Sequence, residues 1–158
     1  MLKVSMVELY QEAENFLNEH FGLSLEVPIR VAARMTRTMG CFKHYRSWNR
    51  PIEIKLSEKM LTHHDPEVSI DVLRHELIHY ALYMLQQPYK DKDENFKSTC
   101  RRLGVALTRT YQFKGEIYTY GCASGCSEWK FKTRRNFDRH HCRKCKKHIV
   151  YKGEKVIA

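Results

Sequence analysis

The sequence predicts an α+β fold: a small antiparallel sheet packed with helices, followed by a compact four-cysteine module. Three stretches carry that prediction. Residues 28–56 hold short extended segments, the clearest being Ile52-Glu53-Ile54-Lys55-Leu56, which alternates apolar and polar side chains with the period of a half-buried strand. Residues 66–87 repeat apolar side chains at helical spacing and contain His75-Glu76-Leu77-Ile78-His79. In the last third, Cys122 and Cys126 are separated by fifteen residues from Cys142 and Cys145.

A chain of 158 residues is long enough for one sizeable core, or for one core and a small module. We divide it into residues 1–112 and 113–158. Hydrophobic residues make up 42%, an ordinary share for a soluble protein, and no run approaches the ~20 apolar residues of a membrane span. The opening Met1-Leu2-Lys3-Val4-Ser5 has no long apolar stretch or cleavage site, so the expected address is cytoplasmic, at the nucleoid or in a nucleus according to the organism. The net charge of +10 is uneven: residues 1–108 carry 15 Lys+Arg against 14 Asp+Glu, and residues 109–158 carry 13 against 4. So basic a tail points to a polyanion.

Taken in order, residues 3–19 form an amphipathic packing helix capped by Ser5 and ending near Phe21-Gly22. The segment Ile29–Met35, the stretch Cys41–Tyr45 after a turn at Thr38-Met39-Gly40, and Ile52–Leu56 are three strands joined by short turns, which suggests a meander. Arg34, Arg37, Lys43, His44, Tyr45, Arg46 and Trp48 mix cations with aromatics, which suits single-stranded nucleic acid as well as a plain solvated hairpin. Ser57 caps a short helical turn over Glu58–Leu61. Asp65, Pro66 and Glu67 have the residue types of a helix start, and Pro88 ends that helix by Gln87. Its core stripe is Ile70, Leu73, Leu77, Ala81 and Met84. A further helix runs from about Glu94 to Leu107 with Phe96, Cys100, Leu103 and Leu107 on one face, and residues 108–117 link to the tail. Cys41 and Cys100 read as packing thiols.

Two motifs carry chemistry. Four-residue spacing puts His75 and His79 on one helix face, where both imidazoles can reach one Zn²⁺, and Glu76 lies beside the metal as a proton acceptor for an activated water. In a reducing compartment, close cysteine pairs favour metal over disulfides. Cys122, Cys126, Cys142 and Cys145, flanked by segments of strand character, read as a zinc ribbon too small to bury a core without metal. Two zincs are therefore expected, one catalytic and one structural. The cations of this module, Lys130, Lys132, Arg134, Arg135, Arg139, Arg143 and Lys144, with Tyr45 and Trp48 of the first unit, are the candidate nucleic-acid contacts.

The order of a leading helix, a short sheet, a helix bearing Val72-Leu73-Arg74-His75-Glu76-Leu77-Ile78-His79, a second helix near Asn95-Phe96-Lys97 and a terminal ribbon resembles the SprT-like metalloprotease family over nearly the whole chain. The resemblance implies a zinc endopeptidase acting near DNA, with DNA-bound or crosslinked proteins as substrates. It also implies a third metal-binding His shortly after the active-site helix. Here no His occurs between His79 and His140. Asp91 falls nearest the expected place, with Asp93 and Glu94 as alternatives, and a carboxylate is an acceptable zinc ligand. The expected partners are single-stranded or locally unpaired DNA and protein substrates, with no membrane, and the protein is expected to be a monomer. Two other readings compete: a nucleic-acid-binding protein whose helix metal is structural or lost, and a ribbon that docks proteins.

Overall fold

The computed structural model describes residues 1–108 and 111–158, so Arg109 and Thr110 of the expected linker lie outside the described residues. The chain forms two compact units, Met1–Gln112 and Phe113–Ala158.

In the first unit, helix α1 (Met6–Phe21) starts at a capping box. Ser5 Oγ accepts from the Glu8 N–H at 3.1 Å, and Glu8 Oε2 accepts from the Ser5 N–H at 2.7 Å, satisfying two donors that the first turn leaves without intrahelical partners. Leu9, Ala13, Phe16 and Leu17 face the core. Strands β1 (Ile29–Ala32), β2 (Gly40–His44) and β3 (Pro51–Ser57) form one sheet in the order β1-β3-β2. β2 runs antiparallel to β3, as expected, but β1 runs parallel to it, from Ile29 opposite Ile54 to Ala32 opposite Ser57. This corrects the meander: the chain crosses to the far edge before returning through the centre. Alternation determines which face of a strand is buried, not which strand is its neighbour. Ile54 and Leu56 are buried on the helix side in either order.

Helix α2 (Glu58–His63) follows at once, with Ser57 Oγ accepting from the Met60 N–H. Helix α3 (Pro66–Met84) begins after Asp65, whose backbone is extended but whose side chain makes no capping bond. The middle of α3 is the centre of the unit: Leu73, Leu77, Ile78, Tyr80 and Ala81 are all fully buried. Ile70 and Met84, expected in the core stripe, are only half-buried at its ends. Helix α4 (Glu94–Leu103) stops at Gly104, which adopts the left-handed conformation at φ 68° that glycine enters without a Cβ penalty. Leu107, expected on that helix, lies beyond it and is exposed.

The second unit is a sheet of β4 (Gly115–Cys122), β5 (Glu128–Phe131) and β6 (Ile149–Ile157) in the order β5-β4-β6, antiparallel throughout. β4 begins inside the stretch expected as linker. Its small core is aromatic, with Phe137 5.0 Å and Tyr151 5.4 Å from the Tyr120 ring. Among the described residues, no helix is long and apolar enough to cross a membrane.

Candidate metal centre and active site

α3 presents His75 and His79 one turn apart, both buried. Their Nε2 atoms lie 3.2 Å from each other, and Asp91 Oδ1 lies 3.4 Å from the first and 3.2 Å from the second. Four ligands around one zinc at ~2.0–2.1 Å stand about 3.3–3.4 Å apart at the corners of a tetrahedron, so the three atoms fit a shared divalent cation. The other face of each imidazole supports this fit. His75 Nδ1 is 2.8 Å from the Ala106 carbonyl, and His79 Nδ1 bonds the Tyr89 carbonyl. A carbonyl only accepts, so each Nδ1 carries the proton and each Nε2 offers its lone pair.

The three carboxylates weighed for the third position separate cleanly. Asp93 precedes α4 and accepts from the Lys90 N–H at 2.9 Å, and Glu94 pairs with Arg101 at 2.8 Å. Asp91 alone of the three joins the histidines. Its side chain is 59% exposed, so the cluster opens to solvent on that side. Phe96 stacks on His79 with ring centroids 3.9 Å apart and meets His75 edge-on at 5.1 Å, so α4 holds both rings in position.

Glu76 is fully buried beside this cluster. β2 passes directly against it: a Cβ on Gly40 would lie 2.9 Å from Glu76 Cγ, from its Oε1 and from Val72 Cγ1. Phe42, His44, Glu76, His79, Tyr89 and Asp91 border a cleft of about 250 Å³. The β2–β3 turn is anchored from below by Tyr83, whose hydroxyl accepts from the Arg50 N–H at 3.0 Å and bonds the Tyr45 and Ser47 carbonyls. Trp48 leans on Tyr83 and Tyr89 yet remains 43% exposed, and Tyr45, under the Arg50 guanidinium, is 52% exposed. Burial, reinforced by Tyr83 and Asp93, raises the Tyr89 phenol above its usual range, so it keeps its proton at neutral pH.

Sequence reasoning missed the supports. Asp71 accepts from the Ala106 N–H at 3.4 Å and from the Tyr111 hydroxyl at 3.2 Å, holding the segment whose carbonyl orients His75. Two of the contacts that orient the metal-site histidines use backbone carbonyls, which leave no mark on residue identity.

In the second unit, the four Cys sulfurs lie within 4.8 Å of one another, and Cys126 Sγ is 3.2 Å from Cys122 Sγ and 3.6 Å from Cys142 Sγ. Backbone N–H groups of Cys126 and Ser127 point at Cys122 Sγ at 3.0 and 3.3 Å. A hydrogen bond with Ser124, joined by those from Cys126 and the backbone, pulls the Cys122 thiol down to about 5 against burial. Backbone bonds from Cys145 and Lys144 bring Cys142 to about 7. The hydrogen bond with Cys122 raises the Cys126 thiol instead. Thiolates are the metal-binding form, and the spacing of the four sulfurs is compatible with a bound zinc. His140 and His141 are not part of the cluster but help line a cavity of about 650 Å³ that Cys126 and Cys142 also border, together with Trp129, Phe131, Phe137, Arg143 and Lys144. Of the other predicted contacts, Lys132 lies over Phe113, Arg135 lies over Phe131, Arg134 pairs with Glu154 between Tyr118 and Tyr151, Lys130 approaches Glu128, and Arg139 is exposed.

No solved structure matches the chain. A SprT-like protein of Staphylococcus carnosus is 30% identical over 145 residues, covering 89% of this chain and 91% of its own. One of Geobacillus kaustophilus is 31% identical over 98 residues, or 59% of this chain and 66% of that protein. One of Bacillus subtilis is 31% identical over 97 residues, or 59% and 65%. In these last two matches the aligned stretch spans just under two thirds of the relative. The SprT-like family model matches residues 6–118, a span that contains all of α3 and Asp91, and the chain belongs to the SprT-like family.

Proposed function

We propose that the protein is a zinc-dependent endopeptidase that works inside the cell next to DNA, on proteins bound or crosslinked to it. The observation that carries this reading is the convergence of His75 Nε2, His79 Nε2 and Asp91 Oδ1 within 3.2–3.4 Å, with Glu76 buried alongside. His75, His79 and Asp91 would hold one zinc, which supplies Lewis-acid polarisation of a carbonyl and a more acidic water. A second zinc would be held by Cys122, Cys126, Cys142 and Cys145 as a structural ion.

Glu76 accepts the proton of the attacking water and delivers it to the leaving amine. A peptide is then cleaved with every proton accounted for: one moves from water to nitrogen, and the hydroxyl remains on the carbonyl carbon. Tyr89 borders the same cleft and is a side-chain donor for the developing oxyanion. β2 is an edge strand of the sheet among the described residues, where an extended substrate can add as a further strand. The aromatic and cationic cavity of the ribbon, with Trp129, Phe131, Phe137, Arg143 and Lys144, suits unpaired nucleic acid, so placement on DNA rather than a deep side-chain pocket selects the substrate.

The test is Glu76→Gln. This variant is expected to retain bound metal and to lose cleavage of a DNA-bound protein by at least ~10²-fold; undiminished cleavage would overturn the assignment. Asp91 in place of a third His favours a second reading, a nucleic-acid-binding protein whose helix metal is not catalytic. That reading predicts salt-dependent DNA binding with no proteolysis by wild type.

A further inference from the structure

The near-neutral charge of the first unit conceals a separation within it. Residues 1–27 carry one Lys+Arg against five Asp+Glu, residues 28–60 carry eight against two, and residues 61–108 carry six against seven. The sheet and its turns are therefore strongly basic while α1 is acidic. On the face of the sheet turned away from the helices, Arg30 of β1, Lys43 of β2 and Lys55 of β3 all point at Glu53, at 3.0, 3.9 and 3.3 Å. Glu53 is nearly covered, its side chain 11% exposed, whereas the three cations remain open to solvent.

One carboxylate cannot neutralise three cations, so two positive charges remain on this face. Arg30 also stands directly opposite Lys55 in the β1–β3 ladder, a like-charge cross-strand pair that costs stability. Glu53, held by both, offsets part of that cost but leaves the excess of positive charge. The adjoining β2–β3 turn adds Arg46 and Arg50 beside the exposed rings of Tyr45 and Trp48. The strands present Arg30, Lys43, Glu53 and Lys55 on this face with no large exposed apolar side chain among them, which suits the phosphates of a nucleic acid better than a lipid surface.

We infer that the outer face of the β1-β3-β2 sheet, centred on Arg30, Lys43 and Lys55, is a second nucleic-acid-binding surface, carried by the metal-site unit itself and independent of the ribbon. Glu53 gathers the three cations and sets the strength of the surface. The inference rests on the DNA-proximal reading above, and it adds a separate contact that would keep this unit on the nucleic acid.

The test uses the full chain and a fluorescein-labelled oligothymidine, with affinity measured by anisotropy across a series of KCl concentrations. A neutralised face (Arg30→Gln, Lys43→Gln and Lys55→Gln together with Glu53→Gln) is expected to bind more weakly and to reduce the salt slope by about 1.4, from two net positive charges at ~0.7 each. Because the quadruple variant can fail to fold, Glu53→Gln alone is the second probe. It releases the cations and is expected to tighten binding, whereas Glu19→Gln, the same charge change on α1, leaves affinity at the wild-type value. Wild-type affinity and slope in both face variants would overturn the inference and leave the DNA-proximal reading standing. Failure of wild type to bind the oligonucleotide at all would overturn both. Loss of binding to phosphatidylserine vesicles with an unchanged oligonucleotide slope would assign the face to a membrane instead.

Discussion

Glu76 and Gly40 show how much of this site rests on single positions. β2 clears the Glu76 side chain only because residue 40 has no Cβ, which would stand 2.9 Å from two Glu76 atoms, closer than real contacts allow. Gly40→Ala is therefore expected to push Glu76 out of place and lower kcat by ~10-fold or more while His75, His79 and Asp91 still bind metal. Metal analysis and kcat measured on one preparation separate the two effects. Cys100 offers a pH test at the same scale. Burial, with smaller contributions from Asp71, Asp91 and Glu76, raises its thiol from 9.0 to about 12. The raised value means that the neutral thiol is favoured in the folded state, so its contribution is intact below pH 9 and falls as pH rises from 9 towards 12. Denaturant titrations are expected to show stability declining above pH 9, less steeply in Cys100→Ala. That His75, Glu76 and His79 stand together was legible in the sequence because spacing on a helix is local. Asp91 as the third member was legible only through family resemblance, because a carboxylate twelve residues beyond His79 is brought back by a turn that residue spacing does not encode.

Among the elements, α1 and α3 were the most readable and the first sheet the least. The capping box at Ser5 and Glu8 is written in residue types, and Ser5→Ala is expected to cost about 1 kcal/mol, lowering the melting temperature of the first unit by about 4 °C with activity retained. α3 is held by more than its apolar side chains. Arg74 pairs with Glu12 of α1 at 2.6 Å, and the Tyr80 hydroxyl donates to the Ser24 carbonyl at 2.9 Å and accepts from the Glu26 N–H at 3.0 Å. These bonds, with those of Tyr83 to the β2–β3 turn, tie the helix carrying His75 and His79 to three other parts of the unit. The parallel β1–β3 pairing was not legible, because the alternation in Ile52–Leu56 is satisfied by a partner running in either direction. The end of α4 was overrun in the sequence reading because Leu107 keeps helical spacing, whereas the left-handed Gly104 breaks the helix three residues after Arg101.

For the molecule as a whole, two units of different physical character share one chain. The first buries an apolar core around α3, and the second is a small sheet around one aromatic cluster and four sulfurs. Removing metal with a strong chelator is therefore expected to collapse the amide dispersion of residues 113–158 while the first unit keeps its fold, a difference that NMR or hydrogen exchange reads directly. Metal analysis is expected to give two zincs per chain in wild type, falling to one in His75→Ala, if both sites hold metal as proposed. By itself the sequence determined what depends on local spacing and composition. These are the helix carrying His75, Glu76 and His79, the paired cysteines, the helix caps and the basic tail. Only the tertiary structure decided what depends on distant segments meeting. It brought Asp91, rather than Asp93 or Glu94, beside the histidines, set the Ala106 and Tyr89 carbonyls against their Nδ1 atoms, placed β3 between β1 and β2, and gathered Arg30, Lys43 and Lys55 around Glu53. Each of these depends on strand order, or on where a loop returns after a helix, and many different residues can serve at either.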